Sequence, residues 1–75
     1  MLVFKKDKMM ARVGDQIAEM SQEEQDDVMS LMKRIDGKEA LPNRWRQTVH
    51  GENDAYYVED SGEQIPVNLI DCEEV

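Results

Sequence analysis

His50, Glu52 and Asp54 alternate through a polar stretch and carry donor types that hold cations. A calcium loop needs more oxygens and a glycine in the spacing D-x-[DN]-x-[DN]-G, which this stretch does not match. Zinc takes three or four protein ligands, and a single histidine with no second His or Cys at ligand spacing does not supply them. Glu23, Glu24, Asp26 and Asp27 offer carboxylates for acid–base work, but neighbouring positions on a helix diverge around it, whereas catalysis needs groups that converge. Cys72, the only cysteine, is flanked by Asp71, Glu73 and Glu74, and negative neighbours disfavour the nucleophilic thiolate. Arg44, Trp45 and Arg46 are the one basic and aromatic grouping. Alternation turns Trp45 toward a core, and Asn43 and Gln47 on either side add no charge, which leaves too little for phosphate affinity. The chain has no phosphate loop, nucleophile elbow, H-E-x-x-H or paired C-x-x-C, so the sequence predicts no enzyme, no metal, no cofactor and no direct nucleic-acid binding.

The distribution of charge says more. Net charge is −8, yet residues 1–49 hold all nine Lys and Arg against nine acids. From His50 onward there are eight acids and no Lys or Arg. Such a segment repels phosphate and attracts basic protein surfaces over a range of about 8 Å at physiological salt. Tyr56 and Tyr57 are adjacent in a predicted strand, so one faces the core and the other faces out. An exposed tyrosine rimmed by carboxylates has the anatomy of a surface that docks on a basic protein partner. Glu52, Asp54, Tyr56, Tyr57, Glu59, Asp60 and Glu63 are therefore the predicted partner-binding residues, on the premise that the carboxylates of the last third form one continuous patch.

These residues need a frame, and the hydrophobic periodicity supplies one. Met10, Val13, Ile17 and Met20 recur at steps of three and four, predicting an amphipathic helix from Met9 to Met20, with Gly14 costing about 1 kcal/mol relative to Ala. Ser21 and Glu24 have the spacing of a capping box and open a second helix over residues 22–35. Its acids lie near the positive N-terminal end, Lys33 and Arg34 near the negative C-terminal end, and Val28, Leu31, Met32 and Ile35 make the buried stripe. Asp36 and Gly37 stop it. Past Pro42 the period becomes two. Trp45, Gln47 and Val49 predict a first strand, residues 50–54 a turn, Ala55–Glu59 a second strand, and Asp60, Ser61 and Gly62 another turn. Ile65, Val67 and Leu69 predict a third strand, which Pro66 assigns to a sheet edge because it cannot donate to a ladder. Leu2–Phe4 predicts one further short strand. The fold class is α+β, with two N-terminal helices packed on a three-stranded antiparallel meander.

At 75 residues the length predicts a single small domain that hides only about 60% of its unfolded surface. One cysteine makes no internal disulfide, which points to a reducing cytoplasm. Leu2, Val3 and Phe4 are too short for a signal-peptide core, and nothing approaches the roughly 18 apolar residues of a membrane span. In size, acidity and lack of active-site motifs the chain resembles the small inhibitors and adaptors that phages and mobile elements encode. That resemblance of composition implies a regulatory or inhibitory protein that binds a host protein and competes with nucleic acid for a basic site. The second reading is a self-associating accessory module, a homodimer joined through the methionine stripe of the first helix.

Overall fold

The computed structural model describes residues 1–43 and 56–75. In chain order it contains β1 (Leu2–Phe4), α1 (Lys6–Ala18), α2 (Gln22–Ile35), β2 (Leu41–Pro42), β3 (Tyr56–Asp60) and β4 (Glu63–Val67). A 3-10 turn (Leu69–Asp71) and β5 (Cys72–Glu74) follow. The class is α+β, two helices followed by an antiparallel sheet in the order β2-β3-β4, with a second small sheet made of β1 and β5.

The second helix forms where the local signals place it. Ser21 accepts a hydrogen bond from the Glu24 backbone N–H at 3.2 Å, and Lys33 and Arg34 occupy the last turn. Gly37 follows with φ of 77°, a left-handed conformation that glycine adopts without a Cβ penalty. The first helix starts at Lys6, earlier than its apolar stripe predicts. Lys5 makes no side-chain cap, and Asp36 caps the helix from the far end of α2, its Oδ1 accepting from Lys6 N–H at 2.9 Å. At the other end, Gln25 Nε2 donates to the carbonyls of Met20 (3.0 Å) and Ala18 (3.3 Å), satisfying acceptors that α1 leaves open where it stops. Both ends are thus fixed by residues of α2, which no window on α1 alone contains.

The hairpin between β3 and β4 turns on Ser61 and Gly62, whose φ values of 52° and 83° suit a two-residue turn matched to strand twist. Such a tight turn lets pairing run out to Asp60↔Glu63, so β4 begins at Glu63 rather than at Ile65. It also ends earlier, at Val67. Asn68 Oδ1 accepts from Ile70 N–H at 3.1 Å and folds Leu69 and Ile70 into the 3-10 turn instead of the ladder. Among the described residues β4 lies at the edge of its sheet, where Pro66 belongs. The strand that pairs with β3 is Leu41–Pro42, while the predicted strand at Trp45–Val49 lies outside the described residues.

β1 is held from both sides. It pairs with β5 in the register Leu2↔Glu74, Val3↔Glu73 and Phe4↔Cys72. On its other side Phe4 N–H donates to Lys38 O (2.9 Å), while Gly37 N–H donates to Phe4 O and Ala40 N–H to Leu2 O (both 2.8 Å). The chain from Gly37 to Pro42 therefore joins the two sheets, bonding first to β1 and then to β3. Phe4, Met32, Ile35, Val58, Ile65 and Val67 lie in a common buried cluster between the helices and the strands. The methionine stripe of α1 turns inward: Ile17 is buried, and Met10, Val13 and Met20 pack half-buried against the same cluster.

Candidate functional site

Alternation along β3 divides the predicted site residues between two faces. Tyr56, Val58 and Asp60 point toward the helices, and Tyr56 packs against the core. Tyr57 and Glu59 point the other way. The register then sets Leu41 of β2 and Pro66 of β4 on either side of Tyr57, and Gln64 beside Glu59. The result is an apolar row, Leu41–Tyr57–Pro66, across the outer face of the sheet, with the exposed Glu59 next to it. A shallow pocket of about 160 Å³ opens here, lined by Asn43, Tyr56, Tyr57, Gln64 and Pro66. Tyr57 is thus the outward tyrosine. Leu41 and Pro66 complete its surroundings. Sequence reading assigns neither to the site, because a shared face across three strands depends on register. The faint signal is that Leu41 adjoins a proline and Pro66 is itself one, flanked by the strand formers Ile65 and Val67.

Glu52 and Asp54 lie outside the described residues. Glu63 is exposed at the hairpin tip, but it stands opposite Asp60 in the ladder and so lies on the helix-facing side, not on the face of Tyr57 and Glu59. Asp60 departs from its expected place on the rim. It is 8% exposed and points inward, where Arg34 Nε donates to its Oδ2 at 2.8 Å, Arg34 Nη2 reaches the same oxygen, and Lys38 Nζ donates to Oδ1 at 2.7 Å. Its charge is cancelled by two cations from the front of the chain, so Asp60 ties α2 to the sheet and does not steer a partner. The hydrogen bonds from Lys38 and then Arg34 hold its carboxyl below the ordinary value, against a smaller opposing effect of burial. A folded-state pKa below the unfolded one stabilises the protein above about pH 4, and this contribution disappears as pH falls through the folded value. Urea denaturation of Asp60→Asn should accordingly show a deficit against the parent at pH 7 that shrinks steadily below about pH 4. A deficit independent of pH would refute this.

The other late acids are shared out similarly. Asp71, 2% exposed, accepts from Arg12 Nε (2.9 Å) and Nη2 (2.6 Å), and this bond raises the Arg12 pKa above its usual value. Glu74 pairs with the amino group of Met1 at 3.0 Å. Glu59, Glu63 and Glu73 stay exposed, the first two on the hairpin and the third on β5 of the other sheet. Among the described late acids the free negative charge is therefore narrower than the composition suggests, with two carboxylates on the hairpin and one on the other sheet. The Cys72 thiol is pushed up, first by burial and then by Asp71, with Lys8 opposing.

The described edges at β4 and β5 offer little to an incoming strand. Pro66 stands opposite Tyr57 with no N–H to give. On β5, Cys72 N–H bonds back to Leu69 O and its carbonyl accepts from Lys8 Nζ at 3.1 Å. Among the described residues no three His, Cys, Asp or Glu side chains gather to hold a metal ion, and no helix is long and apolar enough to cross a membrane. No protein-family model matches the chain, and comparisons with curated proteins and with solved structures give no match.

Proposed function

We propose that this chain is a non-enzymatic regulatory or inhibitory protein that binds another protein through the outer face of its β2-β3-β4 sheet. The partner presents a basic surface, of the kind that also binds nucleic acid, and the chain competes for it from the cytoplasm. The observation carrying this reading is the row Leu41–Tyr57–Pro66 with Glu59 beside it, an apolar centre with a carboxylate at its margin. Among the described residues no strand residue on that face is basic. Tyr57 is the anchor, since tyrosine presents large contact area on few rotatable bonds. Glu59 steers the approach from that face, and Glu63 at the hairpin tip adds longer-range attraction together with Glu52 and Asp54. Blunted edges favour docking on a face over strand addition. Self-association through the α1 methionines loses its motive, because that stripe packs inward.

Immobilised protein should capture a partner of basic isoelectric point at low salt and release it at high salt. Glu59→Lys with Glu63→Lys should cut capture at least about tenfold and flatten the salt dependence. Tyr57→Ala should weaken it by about thirtyfold, the loss of a hot-spot residue, without altering the salt slope. Equal capture by parent and charge-reversed protein would dispose of the proposal.

A further inference from the structure

A second concavity lies on the helical side of the molecule and reaches the β4 edge at Pro66, which also borders the outer sheet face. Met9 of α1, Val28 and Leu31 of α2 and Pro66 of β4 form its walls, while Phe4 and Met32 reach it from the core. Its volume is about 290 Å³, near the lower limit for small-ligand sites. Protein interiors normally leave few voids larger than a water molecule. Water in an apolar groove finds few partners and is readily displaced.

The polar end of the groove is made by Arg12, Asn68 and Asp71. Both Asp71 carboxylate oxygens already accept from Arg12, and Asn68 Oδ1 already accepts from Ile70 N–H. The side-chain groups left over are Nη1 of Arg12 and Nδ2 of Asn68, both donors. Arg12 is 38% exposed in its side chain and so reachable, yet its charge is matched by a buried carboxylate. A ligand anion would be repelled by the Asp71 charge, whereas a neutral acceptor can take the Arg12 and Asn68 donors without that repulsion.

We infer that this groove binds a short aliphatic chain ending in a neutral hydrogen-bond acceptor, such as an amide carbonyl, with the chain among Met9, Val28, Leu31 and Met32 and the oxygen at Arg12 and Asn68. Methionine walls adapt to an unbranched chain because the thioether side chain is flexible and polarizable. The site shares only Pro66 with the outer docking face.

Octanamide is a suitable probe, read by the methyl resonances of protein labelled at methionine. The Met9 and Met32 signals should move and saturate at about millimolar concentration, while those of Met1 and Met20 stay in place. Octanoate should bind more weakly than octanamide. Asn68→Ser keeps an oxygen to cap Ile70 and removes the amide donors, so it should weaken octanamide by about two- to twelvefold. Val28→Phe fills the groove from a half-buried position and should abolish the shifts, its fold being verified by unchanged Met1 and Met20 signals. Non-saturating shifts up to the solubility limit, or equal binding by a folded Val28→Phe protein, would overturn the site. Tighter binding of octanoate would overturn the neutral head group.

Discussion

Arg12→Ala costs about 3 kcal/mol, a large share of the stability of a domain this small. Asp71 is 2% exposed, and both its oxygens are satisfied by that one guanidinium across 59 residues of chain. Removing the cation leaves a buried carboxylate with no countercharge, and breaking a buried pair from one side typically costs about 3–5 kcal/mol. The lower figure applies because Arg12 itself is partly exposed and water reaches the vacated position. At about 0.05–0.15 kcal/mol per residue, a chain of this length has only about 4–11 kcal/mol in total. Urea denaturation of three proteins decides the matter. Arg12→Ala should lose most, and the double variant Arg12→Met with Asp71→Leu should recover most of the loss, because an apolar pair leaves no charge stranded. A loss under about 0.5 kcal/mol in Arg12→Ala would show that the pair does not hold α1 to the 3-10 turn.

Phe4→Ala should be as damaging, at about 3–5 kcal/mol. Phe4 is 1% exposed and is among the largest fully buried side chains described. Its strand also carries hydrogen bonds on both sides, to β5 and to the chain at Gly37 and Lys38, so a cavity there loosens the join between the sheets. Phe4→Leu, which keeps most of the volume, should cost under about 1.5 kcal/mol. Thermal and urea denaturation should rank the parent above Phe4→Leu and Phe4→Leu well above Phe4→Ala. Equal losses for the two would place Phe4 outside the packed core.

What the sequence reveals follows the range of the forces involved. Helix α2 is legible because its cap, its charges and its apolar stripe all act within one or two turns. The hairpin is legible from Ser61, Gly62 and the alternation around them. The start of α1 is not, because the group that caps it, Asp36, arrives from 30 residues away. β5 is not legible either: Cys72, Glu73 and Glu74 show no alternation, and only pairing with β1 makes them a strand. In the candidate site, adjacency is enough to separate Tyr56 from Tyr57 by face but not to say which faces out. The formal charges of Asp60 and Asp71 are visible in the sequence, while their neutralisation by Arg34, Lys38 and Arg12 depends on tertiary placement. The premise of one continuous acidic patch therefore counted charges that the fold cancels.

The position of β1 between its two partners also bears on how the polypeptide acquires its shape. One partner, Gly37 to Ala40, follows within forty residues, but the other is β5, at the opposite extreme of the described chain. Bringing such distant segments together carries a larger loop-closure entropy than forming the helices or the hairpin, so that contact belongs to the slow end of folding. During synthesis β1 emerges before β5, so it stays paired on one side only until residues 72–75 have cleared the exit tunnel. The small sheet is then completed only after the helices and the hairpin have formed, and one edge of β1 stays open until that point.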